Sequence, residues 1–156
     1  MKTLVLGIGN FLLGDEGVGV HAAHALMASD CPEGVTVLEI GTAILDALPA
    51  LETADRVIIL DAIKADGNPG SIYRIPLNGC QQKTSIASMH GFDIFRVMAM
   101  TGRKERLDGV VFGVEPYYMG WSMELSPQVK AALPALVDAV KSEAGSSVAC
   151  PSSATQ

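Results

Sequence analysis

Residues 56–62 read Arg56-Val57-Ile58-Ile59-Leu60-Asp61-Ala62. Four branched apolar residues in a row leave this segment no polar face. A strand with one wet face would alternate apolar and polar residues, so the run predicts a central parallel strand covered on both sides. It stops on Asp61, a charge where the apolar pattern would otherwise continue. In open α/β sheets, ligands bind in the crevice beyond the carboxyl ends of the strands. Asp61 is therefore a candidate site residue, and the loops at that edge are the places to search.

Outward from this strand, strand and helix signals alternate. Residues 2–8 form a β-rich apolar stretch closed by Gly7, Gly9 and Asn10, and residues 17–28 carry helical apolar spacing. Residues 35–40 predict a strand, and residues 43–52 a helix that Pro49 would break or kink. A short strand is predicted at 71–75 after the Asn68-Pro69-Gly70 turn, a helix at 91–100, and a further buried strand at 109–114. Ser126-Pro127 combines an N-cap residue with proline at the first helical position, opening a helix to about residue 142 with a kink at Pro134. The alternation predicts an α/β fold, a mostly parallel sheet with helices on both faces. One domain spans 1–144, and the small, polar residues 145–156 read as a flexible tail.

Composition narrows the function. Lys plus Arg is 11 and Asp plus Glu is 17 in 156 residues, a net charge of −6 that argues against gripping nucleic-acid phosphates. The hydrophobic share of 49% is enough for a buried core and excludes general disorder. No apolar stretch reaches the ~18 residues a membrane span needs, and residues 1–3 run straight into a strand rather than a signal peptide, so the expected compartment is the cytoplasm. Cys31, Cys80 and Cys150 are odd in number and form no CxxC pair, the pattern of reduced thiols.

The first loop tests nucleotide binding and fails it. Gly7-Ile8-Gly9 is followed by Asn10, Phe11 and Leu12, so the third glycine of a dinucleotide fingerprint is missing. Asp15 and Glu16 would repel a pyrophosphate at the helix start. There is no GxSxG elbow, and no cysteine at a strand–helix junction beside a basic partner. What the loop offers is acid. Glu16 opens a helix just past a glycine-rich turn, where its blandest role is to complement the helix dipole. His90, in Ser88-Met89-His90-Gly91, stands where a loop enters a helix, as a cap, a surface residue or a ligand. Glu16, Asp61 and His90 together would make an oxygen/nitrogen metal site with open positions. His21 and His24, three apart on a helix without a third ligand, read as surface histidines. Tyr117, Tyr118 and Trp121 read as core or rim packing, or alternatively as a docking surface.

Gly7-Ile8-Gly9-Asn10 with Leu13-Gly14-Asp15-Glu16-Gly17-Val18-Gly19 resembles the opening signature of the nickel–iron hydrogenase maturation endopeptidases. The likeness continues through Gly41-Thr42, the strand ending in Asp61, Pro69-Gly70, Ser88-Met89-His90 and Gly113-Val114-Glu115-Pro116, then Trp121 and Glu124-Leu125-Ser126-Pro127, covering roughly residues 3–142. The resemblance implies a three-layer α/β/α sandwich. It implies a peptidase that removes the C-terminal extension of a hydrogenase large-subunit precursor already loaded with nickel. Glu16, Asp61 and His90 match the positions that contact nickel and act in catalysis, and Glu39, Gly41 and Thr42 match a substrate-binding loop. Nickel would come with the substrate as a readiness signal, and no organic cofactor is implied. Two departures stand out. The family often has Asp-Gly-Gly-Thr where this chain has Glu39-Ile40-Gly41-Thr42, and the histidine loop is two residues shorter than in many relatives. A metal-centre chaperone without peptidase activity is the alternative use of the same crevice.

Overall fold

The computed structural model describes residues 1–77, 87–88, 91–103 and 107–146, with residues 87, 88, 91 and 92 described in backbone only. The strands are β1 (Thr3–Ile8), β2 (Val35–Gly41), β3 (Arg56–Lys64), β4 (Ile72–Pro76), β5 (Ala87–Ser88) and β6 (Asp108–Val114). The helices are α1 (Val18–Met27), α2 (Leu48–Thr53), α3 (Gly91–Met100) and α4 (Pro127–Gly145). The sheet runs β2-β1-β3-β6-β4, with β5 attached to β3. The pairs β1–β2, β1–β3 and β3–β6 are parallel, while β4 joins β6 and β5 joins β3 in antiparallel sense.

Strand alternation sorts the core into two halves. Leu4, Leu6 and Ile8 of β1 and Val57, Ile59 and Ile63 of β3 face the side covered by α2 and α3. Val5, Ile58, Leu60 and Ala62 face the other side, under Val18, Ala22 and Leu26 of α1 and Val129, Leu136 and Val140 of α4. Burial on both faces is what the unbroken 56–62 run predicted, and the result is the expected three-layer α/β/α arrangement.

Three local expectations are corrected. Pro49 does not break its helix: residues Ile44–Ala47 form a 3-10 turn, and Pro49 then stands in the first turn of α2, where its missing N–H costs nothing. The helix α4 runs on through Pro134 to Gly145, three residues beyond the predicted end. Two residues of β5, too short to leave a periodic signal, were not expected. The predicted tail lies, from residue 147, outside the described residues.

The close approach of α1 to the sheet explains the glycines of the first motif. A Cβ on Gly19 would stand 2.1 Å from the Leu60 carbonyl oxygen and 2.3 Å from that of Ile8. A Cβ on Gly7 would meet the Gly19 carbonyl oxygen at 2.4 Å. These glycines serve helix–strand packing rather than phosphate binding, because any side chain there would drive α1 off the carboxyl ends of β1 and β3.

Candidate active site

The register sets Glu39, Gly7 and Leu60 side by side across β2, β1 and β3. Asp61 follows the last β1–β3 pair but does not end its strand as expected: β3 runs on to Lys64, and Asp61 and Ala62 remain paired with Gly113 and Val114 of β6. Asp61 is 1% exposed, and its Oδ1 accepts a hydrogen bond from the Ala62 N–H at 2.8 Å. By alternation its side chain leaves β3 on the same face as Ile59 and Ile63.

Glu16 reaches the same edge from the opposite end of the β1–α1 connection. It lies in a 3-10 turn, Gly14–Gly17, before α1 begins, rather than in the first turn of the helix itself, and it is 5% exposed. Gly9 is the hinge between the two acids. It adopts φ +130°, a conformation that side chains rarely allow. A Cβ there would lie 2.1 Å from the Glu16 carbonyl oxygen and 3.6 Å from Asp61 Oδ1. The backbone at Glu16 and the carboxylate of Asp61 therefore border one point, which only a glycine leaves open.

The third predicted ligand, His90, lies outside the described residues. Among the described residues no three His, Cys, Asp or Glu side chains gather into a metal site. Glu39 lies inside β2, and Thr42 just past its end. Glu39 Oε2 accepts a hydrogen bond from His24 Nε2 at 2.5 Å. Gly41 takes φ +60°, and its carbonyl accepts the Gly9 N–H at 3.0 Å, tying the β2 end to the hinge glycine. Thr42 forms part of the wall of a cavity of about 490 Å³ between the 44–47 turn and α3, with Ile44, Leu45, Asp46, Asp93 and Val97.

Two acids that sequence reading passed over hold this edge together. Asp15, the neighbour of Glu16, is wholly buried. Its carboxylate accepts the Tyr117, Tyr118 and Ser126 N–H groups at 2.8 Å each and the Ser126 hydroxyl at 2.7 Å. Ser126 stands at the N-cap of α4 as predicted, but its hydroxyl caps nothing and is spent on Asp15. Glu115, 3% exposed, accepts the Ala65 and Gly67 N–H groups and the Tyr73 hydroxyl, fixing the loop that follows β3. Burial, and then the Glu115 charge, push the Tyr73 hydroxyl pKa upward. A buried acid in a motif is the only sequence signal that could have pointed to either residue.

The histidines divide. His24 is half exposed, close to the surface reading, but bound to Glu39. His21 is half-buried, stacked on Phe11 with ring centroids 4.9 Å apart, and burial, with the nearby His24, pushes its pKa down. Tyr117, Tyr118 and Trp121 are 65%, 51% and 79% exposed, which removes the core-packing reading.

The chain matches the family model described as hydrogenase maturation protease over residues 20–143. The chain belongs to the hydrogenase maturation protease family. This protease is 31% identical over 144 residues to the hydrogenase expression/formation protein HupD of Bradyrhizobium diazoefficiens, a match covering 88% of the chain and 74% of the relative. Its fold is that of the NiFe hydrogenase maturation protease HybD from Thermococcus kodakarensis, with a TM-score of 0.80, 29% identity, and coverage of 92% of this chain and 99% of that one. The hydrogenase maturating endopeptidase HybD from E. coli superposes with a TM-score of 0.78 at 28% identity, over 92% and 91% of the two chains. The protease is thus a peptide-bond hydrolase with an α/β fold, and among its described residues no helix is long and apolar enough to cross a membrane.

Proposed function

We propose that this protease removes the C-terminal extension of a nickel–iron hydrogenase large-subunit precursor that already carries nickel, and that the nickel is part of the substrate, marking it as ready. The observation that supports this reading is two buried acids near Gly9: the Glu16 backbone carbonyl and the Asp61 carboxylate both border the point that Gly9 leaves without a side chain. Residues beyond the carboxyl ends of parallel strands are where such sheets meet their ligands.

The third ligand in this proposal is His90. Its support is the β3–β5 register: Ser88, two residues before His90, pairs with Ile63, two residues after Asp61. Two carboxylates and an imidazole suit a divalent ion while leaving positions for the substrate's own ligands. The nickel then anchors the precursor with its scissile peptide beside the acids, where an ionised carboxylate takes the proton of the attacking water. Glu39, Gly41 and Thr42 border the segment of substrate leading to that bond.

The test is to incubate the protein with nickel-loaded and nickel-free precursor and to weigh the products. Only the loaded precursor is shortened, and a chelator that does not strip it leaves cleavage intact. Asp61→Asn and His90→Ala stop cleavage, the latter without lowering the melting temperature. Zinc held stoichiometrically through purification, with equal cleavage of both precursors, would overturn the reading in favour of an ordinary metallopeptidase.

A further inference from the structure

We propose that Leu12, Tyr117, Tyr118, Trp121 and Met123 form a docking surface beside the active site that grips the folded body of the large-subunit precursor. The inference rests on the preceding reading that the precursor brings its scissile peptide to Glu16 and Asp61. All five side chains are large and apolar or aromatic, and all are exposed, Trp121 the most at 79%. They come from two segments, residues 10–15 and 117–123, that are hydrogen-bonded to each other. The Ser122 N–H donates to the Leu12 carbonyl at 3.0 Å, the Gly14 N–H to the Ser122 carbonyl at 2.7 Å, and the Asp15 N–H to the Tyr118 carbonyl at 2.8 Å. Glu16 follows Asp15 in the same turn. A Cβ on Gly14 would stand 3.2 Å from Tyr118 Cδ1, so the ring lies against a point only two residues, at most ~7 Å of chain, from Glu16.

The fold holds the backbone of this surface in place while leaving its side chains in water. Asp15, wholly buried, directs its carboxylate to the Tyr117, Tyr118 and Ser126 N–H groups. Gly14 and Gly120 leave the space in which the Tyr118 ring lies, and a Cβ on Gly120 would meet its hydroxyl at 2.3 Å. Groups fixed in advance lose little entropy on association. Tyr, Trp and Met are enriched where folded proteins meet, and Trp and Tyr carry much of the binding energy there. An extended peptide takes a groove or a sheet edge instead. Trp121 projects from the surface and lines no groove, so it fits a hollow on a folded partner. At ~150–250 Å² per aromatic side chain, the five expose on the order of 600 Å². A stable dimer of this chain would need about 800 Å² from each copy, whereas a precursor adds the area of its contacts at the active site. Continuity with the turn that carries Glu16 therefore selects the precursor as the occupant.

The chain has a single tryptophan, so fluorotryptophan labelling places one fluorine in the proposed contact. In the free protein its NMR resonance shows the solvent-isotope shift of a hydrated ring. Unlabelled nickel-loaded precursor, added at a temperature where cleavage is slow, moves the resonance and removes that shift. A synthetic peptide of the C-terminal extension alone leaves it in place. Trp121→Ala and Tyr117→Ala each raise KM and the dissociation constant about tenfold, the loss of one anchor residue, with kcat and the melting temperature unchanged. Met27→Ala, which removes a half-exposed apolar side chain at the far end of α1, changes neither constant. Unchanged binding in both aromatic variants, or a loss confined to kcat or stability, would overturn the proposal. So would a resonance that moves with the concentration of the protein alone, which marks a second copy as the occupant. A resonance already shielded in the free protein, which marks cover by the chain's own residues, counts against it equally. If the precursor binds with these effects and is not shortened, the peptidase reading fails and the docking surface stands. Normal cleavage with an unmoved resonance overturns the docking surface alone.

Discussion

Replacing Asp15 with asparagine keeps the size of the side chain and removes its charge. In the native protein the carboxylate accepts four hydrogen bonds, three from the backbone N–H groups of Tyr117, Tyr118 and Ser126 and one from the Ser126 hydroxyl. The amide offers one oxygen, and its NH2 must face N–H donors. With the amide oxygen at the Oδ2 position three of these bonds remain and the NH2 faces the Ser126 N–H; the one lost bond and the new donor–donor contact together cost about 2–4 kcal/mol, a hydrogen bond to a charge being worth ~1.5–3 kcal/mol. For a domain of this size that lowers the melting temperature by roughly 5–15 °C. Thermal unfolding by circular dichroism measures the total, and amide hydrogen exchange locates it. The Tyr117, Tyr118 and Ser126 amides speed up well before those of β1 or β3, because the 115–126 segment comes away from the Gly14–Gly17 turn first. Cleavage falls with it, since Glu16 is in that turn. A variant melting within about 2 °C of wild type, with those amides still protected, would refute the claim that Asp15 holds the two signature segments together.

Three further predictions follow from other contacts. Gly19→Ala forces a methyl group into the Leu60 and Ile8 carbonyls, costs about 1–3 kcal/mol in chemical denaturation, and reduces cleavage by moving α1 off the site edge. Glu143 binds Arg56 and Arg74, and chiefly its hydrogen bonds from Arg74 hold its pKa below the usual carboxylate value. A depressed carboxylate adds stability that is present above its unfolded pKa and disappears as pH falls through the folded one. Glu143→Gln therefore loses about 1–2 kcal/mol at pH 7, a difference that narrows as pH falls below ~4.5, read from melting temperatures across that range. His21 has the opposite charge type and a lowered pKa, so its contribution is full above pH ~6.5 and fades below it. His21→Phe flattens the stability profile just below pH ~6.5, and an unchanged slope there would show that His21 takes no part in it.

The sequence alone determined the order of strands and helices and the two-sided burial of β3, because hydrophobic periodicity is a local property that records how many faces of a segment meet the core. It also marked Asp61, a charge at the end of an apolar run, and Glu16, an acid just past a glycine-rich turn, since both are visible without any partner. Only the tertiary structure decided what those charges meet. Asp15 and Ser126 are joined across 111 residues, and Glu115 reaches back 50 residues to the Ala65 N–H. A hydrogen bond over such distances leaves no period in the chain. For the same reason Ser126, which local rules make a helix cap, gives its hydroxyl to a buried acid that those rules cannot see. Glu39 and His24 belong to neighbouring elements, yet their meeting depends on the register of β2 and the rotation of α1, and both are fixed by packing against the sheet rather than by either segment's own residues.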